Sequence, residues 1–347
     1  MSNPTYQYSN DPQKVPASTQ QAPILGYPTQ GYPASAPAGA PTYPAPQAGY
    51  PAPQGYPPQQ AAPIGYPPAY AHLPGFVPYP NPTLLPIPAP GTWGIGMEEF
   101  QRRYQVSPKW TPYLTPLPNF TTVIICDDSG SMANLADPDT YNGLTRWDEL
   151  KMAMNIVIEA HAAVGTVCDV YFINRGAYRN VSSMSQLAAA FSHPPHGGTN
   201  TLLCLHRVAI DHFNADAMEK KVIVHLFTDG HPTDFHGRED FPSFVYWLSN
   251  RPCMQSTFIS IILCTDDEYV DRQYRRLEYN PGFNQGIAGV DFTMDYRGEC
   301  VDIRRTRGWS YPFTFGDYVV KTIAGAYDPS IHLLDLPAAS QLCCTIS

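Results

Sequence analysis

Charge is almost missing from the first quarter of this chain. Residues 1–90 carry only Asp11 and Lys14, yet hold 24 of the 38 prolines. Such a stretch has too little aliphatic surface to offset the entropy of ordering, so residues 1–92 are expected to form a disordered, Pro/Tyr/Gly/Gln-rich arm with polyproline II character. Basic residues are scarce throughout: 21 Lys and Arg stand against 30 Asp and Glu, for a net charge of −9. That balance argues against non-specific nucleic-acid binding, which needs clustered cations. Long apolar runs are lacking too. "FISIILC" and "VIVHLF" are strand-sized and fall far below the ~18 residues needed to cross a bilayer. The opening "MSNPTYQYSN" has no basic start or apolar core of a secretory signal, which predicts a cytosolic protein. No C-x-x-C pair suggests zinc. The eight cysteines are expected to stay reduced, with Cys126, Cys168 and Cys264 as small core residues inside apolar runs.

What the arm does contain is repetitive. "GYP" recurs at Gly26, Gly31, Gly49, Gly55 and Gly65. One motif is sharper: Pro67, Pro68 and Tyr70 in "PPAY" match the P-P-x-Y ligand that WW domains hold against aromatic rings. The plain alternative is a spacer in which a tract of Pro, Ala and Tyr produces the match by chance.

After a linker or short helix over 93–118, strands and helices alternate from 119 to 328, and a tail occupies 329–347. "TTVIIC" (121–126) is a continuous β-branched run, as a strand covered on both faces should be. A helix follows, with Thr145 and Asp148 as a capping pair and Gly165 as its stop. "VCDVYFIN", "KVIVHLFT", "TFISIILC" and "VDFTMDY" predict further strands. Helices are expected at 183–191, 199–213, around 240–250, after Cys264 and at 315–327. This alternation predicts an α/β domain with a Rossmann-like, doubly wound, mainly parallel sheet. Ligands of such sheets sit at the carboxyl ends of the strands.

At that end of the first buried strand stands "DDSGSM". Asp127, Ser129 and Ser131 alternate around a glycine turn, so one carboxylate and two hydroxyls can converge. Hard oxygen donors without His or Cys suit Mg²⁺, Ca²⁺ or Mn²⁺. D-x-S-G-S after a buried strand resembles the metal-ion-dependent adhesion site of von Willebrand factor A (vWA) domains, and the resemblance covers about 119–328. It implies a threonine from a second loop, where "HGGTNT" offers Thr199 with Thr201 as second choice, and an aspartate from a third, where "HLFTDGHPTD" offers Asp229. With Arg146 and Trp147 opening the first helix, the chain is similar in particular to intracellular fungal-type members. The resemblance further implies that Ser129, Ser131 and Thr199 bind metal directly, and that Asp127 and Asp229 act through water or hydrogen bonds. A partner's Asp or Glu would then complete the metal's shell. Asp137 and Asp139, in the long loop 133–144, could shade that face.

Other readings of these residues are weaker. Asp127 and Ser129 could simply cap the following turn. An aspartyl-phosphate chemistry at Asp127 and Asp128 would want an Asp two residues on, where Ser129 and Gly130 stand instead. No G-x-S-x-G elbow or phosphate loop occurs, so no catalytic residues are assigned. His193, His196, His231 and His236 read as solvated loop residues. The chain ends in Cys344-Thr345-Ile346-Ser347, a C-a-a-X pattern of the farnesylated type, with Cys343 as a second acyl site. Two lipids would hold the protein on the cytosolic face of a membrane. The expectation is therefore a metal-dependent protein-interaction adaptor rather than an enzyme. A soluble scaffold with a structural metal is the alternative, and a metal-dependent hydrolase comes third.

Overall fold

The computed structural model describes residues 82–86, 95–136, 143–213, 220–234, 236–277, 286–328 and 330–331. Seven strands form one sheet: β1 (Thr83–Leu84), β2 (Phe120–Cys126), β3 (Cys168–Phe172), β4 (Gly176–Val181), β5 (Lys221–Thr228), β6 (Thr257–Leu263) and β7 (Val290–Thr293). Their order is β1-β4-β3-β2-β5-β6-β7, and every pairing is parallel except β3 with β4. The helices are α1 (Met97–Tyr104), α2 (Arg146–Ala163), α3 (Ala188–Phe191), α4 (Thr201–His212), α5 (Phe241–Ser249), α6 (Glu268–Tyr274), α7 (Tyr296–Arg307) and α8 (Phe315–Ala324).

The strands are apolar on both sides because helices cover both sides. On one face Ile124, Cys126, Phe227 and Ile262 pack with Trp147, Leu150, Met154 and Val157 of α2 and with Val319 and Ile323 of α8. On the other, Val123, Ile125, Val224 and Ile261 meet Leu205 and Val208 of α4 and Phe244 and Leu248 of α5. Each such side chain contributes about 1.5–3 kcal/mol by leaving water. The start of α2 is fixed as its sequence predicts: Thr145 and Asp148 form a reciprocal capping box. Among the described residues no helix is long and apolar enough to cross a membrane.

Three features differ from the sequence reading. The chain turns back after β3 into β4, whose sequence GAYRNV shows no apolar run. The 93–118 stretch, expected to be a linker or short helix, holds the helix α1 and is packed well beyond it, with Phe100, Trp110, Leu114 and Leu117 fully or almost fully buried. And β1, inside the stretch assigned to the arm, extends the sheet edge: Leu85 N–H donates to Arg179 O at 3.0 Å, and Asn180 Nδ2 to Leu85 O at 3.0 Å. Around β1 and from Ser107 to Pro118 the apolar residues stand singly or in pairs between prolines and carry no period, so nothing there signals order before the rest of the fold is present.

Gly316 shows how tightly α8 sits against this packed stretch. A Cβ there would lie 2.2 Å from Tyr104 O and 2.9 Å from Val106 Cγ2. A backbone carbonyl cannot swing aside, so Gly316→Ala must displace a helix. It is expected to lower the urea midpoint by an amount equivalent to about 1–3 kcal/mol. An unchanged midpoint would mean that α8 does not pack this closely.

Sheet order places the site. After β2 the chain moves to one side through β3 and β4, then crosses to the other side for β5. The loops that follow β2 and β5 therefore flank the switch point, where α/β sheets leave a crevice.

Candidate metal centre

The turn after β2 begins with Asp127, whose amide donates to Phe227 O at 3.0 Å and so keeps the chain in sheet register one residue past the strand. Its carboxylate is fully buried. Oδ1 accepts from Ser129 N–H at 2.9 Å, and Oδ2 accepts from the Thr228 hydroxyl at 2.7 Å. Burial, together with the nearby Asp229 charge, pushes the Asp127 carboxyl up to about 7 against the pull of those hydrogen bonds.

From there the donors run in a chain. Ser129 Oγ lies 3.1 Å from Ser131 Oγ, and the Ser131 hydroxyl donates to Asp229 Oδ1 at 2.9 Å. Ser129 is buried, whereas Ser131 is exposed, so the cluster opens to solvent on one side. Asp229, directly after β5, has a fully buried side chain, and its Oδ2 accepts from Arg146 Nη1 at 2.9 Å. The guanidinium comes from the first residue of α2 and is the counter-charge to this pair of aspartates.

The third loop joins the other two through its backbone. Gly130 N–H donates to Gly197 O at 3.1 Å, and Thr233 N–H donates to Thr199 O at 2.8 Å. Thr199 thus sits between the β2 and β5 loops, only 9% exposed. Thr201 is buried in the first turn of α4, its N–H bonded to Thr199 O at 2.8 Å. Behind the β5 loop, the Tyr274 hydroxyl donates to Gly230 O at 3.0 Å.

This donor set fits a small hard cation. Oxygens around Mg²⁺ at 2.0–2.1 Å in octahedral geometry stand about 3 Å apart. The Ser129–Ser131 and Ser131–Asp229 separations of 3.1 and 2.9 Å are those of ordinary hydrogen bonds and are compatible with such an edge. Among the described residues no group of three or more His, Cys, Asp or Glu side chains could hold a metal, so the donors available here are chiefly hydroxyls. With Arg146 balancing Asp229, a bound cation would keep most of its positive charge.

The histidines on this face take other parts. His193 and His196 are exposed, and the His196 amide donates to Asp128 O at 2.7 Å. His231 stacks on Tyr274 with ring centroids 6.3 Å apart and meets the edges of Phe241 and Tyr269. His236 is exposed, its amide donating to Asp234 Oδ1 at 2.8 Å. Asp137, Asp139, Pro67, Pro68, Tyr70, Cys343 and Cys344 lie outside the described residues.

Sequence reasoning had no role for Arg146 beyond its family likeness, and none for Thr228. A buried aspartate implies a counter-charge, but the partner lies 83 residues away in the chain, and only the fold selects it. No family model and no curated protein matches this chain. Among solved structures it is similar to the pilus adhesin SpaC of Lactobacillus rhamnosus GG, at 14% identity and a TM-score of 0.36, over 58% of this chain and 30% of the adhesin. The chain thus spans less than a third of that adhesin's length, and at that score the likeness supports no statement about function.

Proposed function

We propose that the chain is an interaction protein of vWA type that recognises an acidic side chain of a protein partner through a shared divalent cation, Mg²⁺ foremost. The observation that carries this reading is the oxygen row Ser129–Ser131–Asp229, open to solvent at Ser131, with Asp127 beside it accepting from the Ser129 amide. A divalent cation bound there supplies positive charge and a vacant position to a carboxylate oxygen. Ser129 and Ser131 would hold it with neutral oxygens. Asp127 and Asp229 orient those hydroxyls, and the Arg146 guanidinium offsets the Asp229 charge. Thr199, on the neighbouring loop, would add a third hydroxyl when the partner arrives.

Ser131→Ala tests this with little risk to the core, since the residue is exposed. Titration calorimetry of the full chain with Mg²⁺ is expected to show one site in the wild type and at least tenfold weaker binding in the variant. Proteins retained on the immobilised wild type in Mg²⁺ should be lost in EDTA and on the variant. Equal Mg²⁺ binding by both forms, or the same retained set under all three conditions, would overturn the reading.

A further inference from the structure

The second aspartate of "DDSGSM" has no part in the oxygen row, yet its side chain is wholly buried. Its carboxylate faces away from Asp127, toward the hairpin between β3 and β4. Oδ1 accepts from Asn174 N at 2.8 Å and from Asn174 Nδ2 at 3.1 Å. Oδ2 forms an ion pair with Arg175 Nε at 3.1 Å, and the Arg175 side chain is 11% exposed.

Both hairpin residues then reach the loop that ends in Thr199. Asn174 Nδ2 also donates to Gly198 O at 3.0 Å. Arg175 Nη1 donates to Ala190 O and to His193 O, the latter at 3.2 Å, while Nη2 donates to Pro194 O. The guanidinium lies 5.3 Å from the Trp147 ring centroid, which fixes its plane. Asp128 ties the same loop directly, its carbonyl accepting from His196 N–H at 2.7 Å.

Between the end of α3 and the start of α4 this loop has no regular structure, so its carbonyls need partners from elsewhere. Those of residues 193, 194, 197 and 198, and that of Ala190 in the last turn of α3, find them on Arg175, Gly130 and Asn174. Gly197 completes the fit. Its φ is +94°, and a Cβ would lie 2.6 Å from Asn174 Oδ1. A glycine is required by both conformation and space.

We infer that Asp128 is a positioning residue: through Asn174 and Arg175 it clamps the 190–198 loop so that Thr199 is held at the metal centre in the geometry that an acidic partner needs. The inference rests on the proposed metal-bridged recognition. Asp128 and Arg175 neutralise each other, so the clamp holds the loop without adding charge to the Asp127–Asp229 pair. Metal binding alone depends on Ser129, Ser131 and the two aspartates they contact. Partner binding depends in addition on Thr199, and so on the clamp.

Two full-length variants test this from independent directions. Asp128→Asn keeps the shape and removes the charge that holds Arg175. Gly197→Ala leaves Asp128 intact and pushes Asn174 away. In both, Mg²⁺ affinity by calorimetry is expected to stay within twofold of wild type. Affinity for a hexaglutamate peptide in saturating Mg²⁺, read by fluorescence anisotropy, should fall at least tenfold. Hydrogen exchange at the His196 and Thr233 amides should accelerate at a temperature where both variants remain folded. A residue with a merely structural role would lower the melting midpoint and leave the ratio of peptide to Mg²⁺ affinity unchanged. Wild-type peptide affinity in either variant, or unaltered exchange at both amides, overturns the clamp. If wild type itself binds neither Mg²⁺ nor peptide, the metal reading fails instead, and the exchange rates still decide whether Asp128 holds the loop.

Discussion

Arg146→Met is expected to cost the metal-free protein about 3 kcal/mol and to make it more dependent on Mg²⁺ than wild type. Asp229 has a fully buried side chain, and Arg146 Nη1 at 2.9 Å is its cationic partner, itself 17% exposed. Breaking a buried pair by removing one member leaves an uncompensated charge, which usually costs 3–5 kcal/mol; the partial exposure of the arginine argues for the lower end. The strain is compounded because Asp127, also buried, lies close enough for the Asp229 charge to disfavour its ionised form. In a domain of this size about 3 kcal/mol lowers the melting midpoint by roughly 6–12 °C in EDTA.

The same change should help a cation. Removing one positive charge from a site that takes another strengthens Mg²⁺ binding, by an expected tenfold or more. A tenfold gain is worth about 1.4 kcal/mol at saturating metal, so Mg²⁺ should recover a larger part of the midpoint in the variant than it adds to wild type. Capture of an acidic peptide should move the other way, because a cation facing two uncompensated carboxylates is a poorer electrophile. Arg146→Lys, which keeps the charge without the fork, should fall between the two. Weaker Mg²⁺ binding in Arg146→Met would show that the guanidinium does not oppose a cation here, and would count against a metal at this position.

That prediction turns on a contact the sequence could not disclose. Strand β2 was legible because six residues from Thr121 to Cys126 form one apolar, β-branched run, and β5 and β6 read in the same way. Alternation with helices announces a mainly parallel, doubly wound sheet; the strand order itself comes only with the fold, and it puts Asp127 and Asp229 at adjacent strand ends. What stayed hidden was of two kinds. Strand β4, GAYRNV, shows neither an apolar run nor an alternation of apolar and polar residues, and it pairs with β3 after Asn174 and Arg175 turn the chain back. The long-range charge pairs, Arg146 with Asp229 and Arg175 with Asp128, join residues chosen by topology rather than by spacing. Asp128 reads in sequence as a duplicate of Asp127, yet the turn of the backbone sends the two carboxylates to opposite sides, one to the oxygen row and one to the clamp.

A second large effect should appear in acid and has nothing to do with the metal face. His161 of α2 and His225 of β5 are both buried, and neither ring nitrogen of His225 meets a protein hydrogen-bond partner among the described residues. His161 Nδ1 lies 2.9 Å from Thr166 Oγ1. Burial lowers each imidazole to about 3, with Lys220 adding to the effect at His161, and His161 adding to it at His225. Both are neutral in the folded protein, whereas the unfolded chain protonates them near 6.5. Because the folded value is depressed, stability is intact above about 6.5 and is lost as pH falls toward about 3, at up to roughly 1.4 kcal/mol per pH unit for each histidine. Carboxyls that burial raises, such as Asp169 and Asp295, take up protons in the folded state and offset part of this loss, so the total slope mixes opposing groups. His225→Leu isolates one contribution. Between pH 7.5 and pH 4.5 the stability of the variant relative to wild type should rise by about 2.7 kcal/mol, measured as the difference in urea unfolding free energy at each pH. Parallel pH profiles for the two proteins would mean that His225 is protonated, or reaches water, in the folded state.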